Sequence, residues 1–374
     1  MVQDLALQRN KYKHLSDDEW RWFLQQVEGR ERTADKLPSF AAIEDWWYPV
    51  RLSCEQCSSE LAARYKASLV SGNRMVDLTG GYGVDTYFMS EQFQHTDYVE
   101  QNSELCRIAE HNFAQKPISI HNSTAEDFLN TASLYDLIFL DPARRDSHGG
   151  KVFRLEDCTP NVVELLPVLL QHSKRLMIKL SPMLDLTQAV NALSQVTWDI
   201  YVVAIKNEVK EVLLLSGGSG QITAIDLSHP KQAFTFTREE EAASEAVCQP
   251  GGRSVFCQAQ SVYLYEPNAA ILKAGAYKLV GERFGLHKLD INTHLYTSET
   301  LVENFPGRVW KILEQLPNHK CERSRAQLSA DSRATQEKTA PPRWRYRVYH
   351  WMQSEWQAHG SSCRTMPLTS TQEG

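Results

Sequence analysis

Several acids in this 374-residue chain stand where short apolar runs end, and their spacing suits the handling of a small polar ligand. Asp77 lies just before Thr79, Gly80, Gly81 and Gly83 in MVDLTGGYGVD at 75–85, with Asp85 closing the stretch. That order fits a strand, a tight turn and a helix start. Its glycines tolerate positive φ and let a flat ligand lie against the main chain. A carboxylate at Asp77 suits an ammonium and not a phosphate. A dinucleotide fingerprint counted from Gly81 requires glycine where Thr86 stands, so the dehydrogenase reading weakens. Glu100 ends the next apolar run, where one carboxylate can take both hydroxyls of a ribose. Glu126 and Asp127 follow the third run in NSTAEDFL, placed either to meet an adenine amino group or to complement a helix N-terminus. Asp141 ends the fourth run and is followed by Pro142, Ala143, Arg144 and Arg145. The two arginines can clamp a phosphate or carboxylate, or pair with acids inside the domain. Lys179, in IKLSPMLD, ends the fifth run at the rim of the same pocket.

These residues need a scaffold that brings strand ends together. From 75 to 215 short apolar runs alternate with helical stretches, which predicts a parallel sheet wrapped by helices. Strands are expected at 75–79, 96–100, 118–121, 135–140, 176–180, 199–205 and 211–215. The last two are separated by KNEVK, too short for a helical crossover, so the seventh should run antiparallel to the sixth. In such sheets ligands bind beyond the carboxyl ends of the strands. Ahead of the sheet, Ser16 is placed to cap a helix over 16–28, and RLSCEQCSSELAARYKASL reads as one helical pattern. After it, GGSGQITAIDLSHP at 217–230 reads as a strand that leaves the sheet by a glycine-rich linker and starts a different region, with a domain boundary there; AFTFT and SVYLYEP read as short strands, and NAAILKAGAYKLVGERFG as a helix closed by Gly285. The loop SHGGKVFRLEDC is a candidate lid.

With 42% hydrophobic residues the chain can bury two or three cores. A net charge of −6 argues against holding nucleic acid by bulk electrostatics and leaves room for a local basic patch. No run of eighteen apolar residues occurs and the first residues lack an apolar signal core, so a cytoplasmic protein with no membrane contact is expected. Of eight cysteines, only Cys54 and Cys57 have a metal-like spacing; they read as two helix residues, and no metal is expected. Cys158 reads as structural. Nothing in the sequence specifies an oligomeric state.

The Asp-x-Thr-Gly-Gly-x-Gly-x-Asp stretch resembles motif I of the class I S-adenosylmethionine-dependent methyltransferases. Taken with EQCSSE at 55–60, YVEQN, DPARRD, IKLSPMLD, LYEPNAAILKAGA and FPGRVW, it resembles a bacterial family of these enzymes with a ferredoxin-like insert and a C-terminal THUMP-like domain, over residues 40–319. The resemblance implies an α/β fold: a seven-stranded Rossmann-like sheet with its last strand antiparallel, a helical N-terminal segment and a small α+β C-terminal region. It implies S-adenosyl-L-methionine as cofactor, held by Asp77, Thr79, Gly80, Gly81, Gly83, Asp85, Glu100, Glu126 and Asp127, with the hydroxyls and amide of 55–60 covering one side. Asp141, Pro142 and Arg144 then carry the chemistry, and Arg144, Arg145 and Lys179 hold the substrate. THUMP domains bind RNA, so the resemblance implies an RNA acceptor, transfer or ribosomal. The alternatives are a cofactor-binding RNA-associated factor without catalysis and a methyltransferase for small molecules or proteins. Enzymes that methylate an exocyclic amine carry an aromatic residue after Asp-Pro-Pro to stack the flipped base, and Asp141-Pro142-Ala143-Arg144 lacks it. The expected domains are 1–50 helical, 51–220 methyltransferase, 221–319 accessory and ferredoxin-like, and 320–374 an atypical tail. Shifting the reading of 325–351 by one nucleotide permits VRNFPLTVELRKKKLRLRDGGIVYTIG, close to family text, so the tail is expected to be frameshifted or disordered in place of a THUMP-like domain.

Overall fold

The structure, a computed structural model, describes residues 9–144, 155–245, 262–289, 292–317 and 361–367. Two compact units divide the chain, Met1–Thr223 and Ala224–Gly374.

In the first unit, α1 (Asp17–Thr33) begins at Ser16, whose side chain and that of Glu19 satisfy each other's backbone N–H in a capping box. The single helix expected across 51–72 is two, α2 (Arg51–Gln56) and α3 (Glu60–Ser68). Between them Ser59 adopts an extended conformation and caps α3 by accepting from the Ala62 N–H, which ends α2 at Cys57.

The sheet strands follow as β1 (Gly72–Asp77), β2 (Phe93–Glu100), β3 (Ile118–Asn122), β4 (Tyr135–Leu140), β5 (Ser173–Leu180), β6 (Trp198–Ile205) and β7 (Glu208–Ser216). Two more strands extend the edge, β8 (Ile222–Asp226), within which the unit division falls, and β9 (Phe234–Phe236). The order is β9-β8-β6-β7-β5-β4-β1-β2-β3. Strands β3, β2, β1, β4 and β5 are mutually parallel, while β7 is antiparallel to both β5 and β6. The seven expected strands are present with the expected reversal. The hairpin is tighter than the KNEVK spacing indicated: Lys206 and Asn207 both take positive φ, 53° and 61°, the backbone of a two-residue turn whose twist matches the strands. Residues 137–140 of β4 are buried throughout, as befits a central strand covered on both faces.

Crossover helices α4 (Val84–Met89), α5 (Ser103–Asn112), α6 (Ala125–Leu129), α7 (Val162–His172) and α8 (Leu186–Ala192) connect the strands. Side chains of Asn102, Thr124, Asn161 and Asp185 cap four of them. The residues before β1 pack onto this layer through rings. Phe40 stacks on Trp46 at 4.0 Å and meets Tyr87 edge-on at 4.9 Å, and the Trp46 indole N–H donates to the Tyr82 hydroxyl at 2.8 Å.

The second unit contains an antiparallel sheet, β11-β12-β10-β13-β14, built of β10 (Val262–Pro267), β11 (His287–Lys288), β12 (Tyr296–Ser298), β13 (Gly307–Pro317) and β14 (Ser361–Pro367). Leu264, Leu295 and Trp310 form its apolar centre. The helix expected across 268–285 is broken. After the short α9 (Arg238–Ala243), α10 (Ala269–Ala274) ends at Gly275, whose left-handed backbone (φ 87°) forms a C-cap, and α11 (Leu279–Arg283) follows. Of the 320–374 tail, only Ser361–Pro367 lies among the described residues, as strand β14.

Candidate active site

In the order β2-β1-β4-β5 the chain reverses direction of travel between β1 and β4, and the carboxyl ends of these strands leave a crevice at that switch point. A cavity of about 320 Å³ opens there, at the small end of the range for ligand sites. It is lined by the strand ends and turns carrying Asp77, Gly81, Asp85, Glu100, Glu126, Asp141 and Lys179, with Gln56 and Ser58 on one side.

The turn after β1 forms the floor. Asp77 is buried beneath it; one oxygen accepts from the Thr79 N–H at 2.9 Å and the other from the Thr86 hydroxyl at 2.5 Å. Burial pushes its carboxyl up to about 7, against the pull of those two donors, with Asp85 and Asp141 adding to the rise. The three glycines divide their tasks differently from the expectation that all lie under a ligand. A Cβ on Gly80 would strike the Tyr98 ring and one on Gly83 the Phe113 ring, so both allow core packing below the turn. Gly81, at φ 55°, meets nothing closer than the Thr79 carbonyl at 3.7 Å on the side where its Cβ would lie. Its N–H donates to Glu100 at 2.9 Å and its carbonyl accepts from Tyr98. Glu100 also accepts from the Asn102 N–H at 2.8 Å, so two backbone donors fix a carboxylate whose remaining lone pairs are available to hydroxyls.

At the rim, Asp141 is partly exposed. Its N–H donates to the Thr79 hydroxyl at 2.6 Å, and its side chain receives the Lys179 ammonium at 2.5 Å. Lys179 reaches Ser58 at 3.2 Å and Asp85 at 3.4 Å as well. Burial alone would lower its pKa, but Asp141, Asp85 and Glu211 outweigh that and hold it well above the usual lysine range. Asp85 is likewise kept ionised: burial opposes the charge, and Lys66, Lys179 and the Ser58 hydroxyl overcome it.

Of the residues expected in the site, Asp77, Thr79, Gly80, Gly81, Gly83, Asp85, Glu100, Glu126, Asp141 and Lys179 line this one cavity. Asp127 and Pro142 are not among its lining residues; the Asp127 carboxylate accepts from the Thr124 hydroxyl at the start of α6. Lys179, expected to face substrate, is held among carboxylates, and Asp85 is a counter-ion to two lysines. The Arg144 side chain, Arg145 and most of the proposed lid lie outside the described residues. Sequence reasoning missed Lys66, fully buried on α3, and Glu211, buried on β7; the signals were a lysine on an alanine-lined helix face and an acid leading into VLLL. Among the described residues, no three His, Cys, Asp or Glu are grouped to hold a metal, and no helix is long and apolar enough to cross a membrane. Cys54 and Cys57 are free thiols; burial pushes Cys54 up to about 12.

The donor set fits S-adenosylmethionine. Five carboxylates and one ammonium line the cavity, a balance that welcomes a sulfonium and an ammonium and repels a polyphosphate.

A family model described as a ferredoxin-like domain matches residues 263–306. A crystal structure from Porphyromonas gingivalis W83, provisionally described as that of a methyltransferase, is 31% identical, covers 84% of this chain and 79% of its own, and superposes with a TM-score of 0.72. An uncharacterised S-adenosylmethionine-dependent methyltransferase of Mycobacterium tuberculosis H37Rv is 24% identical over 301 residues, 79% of this chain and 78% of that relative. An equally similar uncharacterised protein of the same description is found in strain CDC 1551. With its cavity, its sheet order and these likenesses together, the chain belongs to the S-adenosylmethionine-dependent methyltransferases that carry a ferredoxin-like domain.

Proposed function

We propose that the protein binds S-adenosylmethionine in the switch-point cavity and transfers its methyl group to RNA. The observation that carries the cofactor reading is the acid-lined cavity with Glu100 pinned at one side and Asp141 at the rim. S-adenosylmethionine, when bound, supplies a methyl group already activated by positive sulfur, so the protein's part is positioning and exclusion of water. Glu100 offers its free lone pairs to the ribose hydroxyls. Asp77, once ionised, favours the ammonium end. Asp141, oriented by Lys179 and by its own N–H, accepts a hydrogen bond from the acceptor and turns the attacking lone pair toward the methyl group. RNA as acceptor is supported by the sequence resemblance to a family whose C-terminal region is THUMP-like.

Tritiated methyl transfer into fractionated RNA from a strain lacking the gene, followed by nucleoside analysis, tests this. Asp141→Ala is expected to reduce transfer about 100-fold at saturating cofactor, the scale of lost positioning, well beyond the drop in cofactor affinity that calorimetry reads for the lost charge. Undiminished transfer in that variant would remove Asp141 from the mechanism. Label entering metabolites or protein and not RNA would replace the acceptor.

A further inference from the structure

Behind the cavity, five charged side chains alternate in sign. Glu211 on β7 receives both hydrogen bonds of a bidentate contact from the Lys66 ammonium, at 2.5 and 2.7 Å. Lys66 stands 3.2 Å from one Asp85 oxygen, Lys179 stands 3.4 Å from the other, and Lys179 ends on Asp141. The Ser58 hydroxyl sits in the middle, donating to Asp85 at 2.8 Å and lying 3.2 Å from each lysine nitrogen. β7 pairs with β5 so that Lys179 faces Leu213 and Leu180 faces Val212, which sets Glu211 just past the end of β5. Lys66 and Glu211 are 0% and 3% exposed and are not among the cavity-lining residues.

Buried ion pairs are poor stabilisers, because removing two charges from water offsets most of their attraction, and apolar residues of similar volume commonly pack as well. What a buried chain of charges does supply is a field, undamped by solvent, at its open end. Three carboxylates against two ammonium groups leave one net negative charge in the chain, and it ends on Asp141 at the cavity rim. Asp77, Glu100 and Glu126 face the same space from the other elements.

We infer that Glu211 is a positioning residue that neutralises Lys66, so that the chain keeps its net negative charge and the cavity prefers a sulfonium cation to the neutral thioether left after methyl transfer. The inference rests on the proposed cofactor. It makes the discrimination between substrate and product depend on a charge balance struck by two residues that do not line the cavity: the positive charge on sulfur is lost in the reaction, and the field favouring it then no longer retains the product.

Calorimetric titration of S-adenosylmethionine and S-adenosylhomocysteine, at one pH, into the wild type and three variants reads this directly. Glu211→Gln removes a negative charge at nearly constant shape and is expected to lower the affinity ratio of cation to thioether about threefold or more, from the scale of a unit charge acting through protein. Lys66→Met removes a positive charge and is expected to raise the ratio. The double variant removes one of each and is expected to return it toward the wild-type value, although its packing differs more than either single change. A purely structural role predicts equal losses for both ligands, worse in either single variant than in the double, and so a ratio that does not move; an unchanged ratio in folded Glu211→Gln overturns the inference. Should Lys66→Met fail to fold, Glu211→Gln and the double variant decide it alone, by a drop and a return. Failure of the wild type to bind either ligand would instead sink the cofactor reading.

Discussion

Asp77 is the residue whose chemistry is most altered by its place. Its carboxyl ordinarily titrates at 3.8, and burial moves it to about 7. The folded state therefore holds this proton more tightly than the unfolded chain does. Stability contributed by the protonated form is present at low pH and is lost as pH rises from 3.8 through 7. Asp77→Asn abolishes that loss, so its melting temperature relative to wild type should climb between about pH 4 and 8 in parallel melts. Binding should move the same proton. A ligand bearing an ammonium favours the carboxylate, so calorimetry near pH 7 in two buffers of different ionisation enthalpy should show proton release that is absent in Asp77→Asn. Asp77 and Glu100 were readable because each follows a short apolar run at a strand's carboxyl end. Lys66 and Glu211 were not: they lie 145 positions apart, and nothing local to either foretells the other.

Among the elements, the turn after β1 makes the sharpest demand on its residues. Gly83→Ala places a methyl group against Phe113 at a backbone with φ 79°, combining left-handed strain of about 1–2 kcal/mol with overpacking of about 1–3 kcal/mol. Gly81→Ala meets the strain without the clash. Denaturant melts should find Gly83→Ala the less stable of the two, while Gly81→Ala remains folded and loses cofactor affinity. The strands and their reversal were legible from alternation and from the short gap at 206–210. The break between α2 and α3 was not, because RLSCEQCSSELAARYKASL keeps a helical pattern across it; the extended backbone and capping hydroxyl of Ser59 end one helix and start the next. Gly275 broke α10 from α11 by the opposite device, a left-handed residue at a C-terminus.

For the molecule as a whole, the sheet gained two strands beyond the expected seven because ITAID and FTF, read as belonging to a separate region, pair at its edge. The reading of 320–374 as out of frame has a direct check: resequencing the codons around 315–325 should recover the family text, and a chain restored to that frame should bind RNA more tightly than this one. A confirmed frame ends that idea. The site, meanwhile, extends outward beyond its sheet. Trp46 donates to the Tyr82 hydroxyl, which reaches the Trp47 carbonyl at 3.4 Å, and Asn112 clasps Trp47 by both its N–H and its carbonyl. Tyr82 stands between Gly81 and Gly83, so Trp46 and Trp47, ahead of β1 in the same compact unit, brace the turn after β1 from behind. Truncating the protein at residue 51 to obtain a minimal enzyme would remove that brace, and the fragment would keep every lining residue while losing the stiffness that aims them.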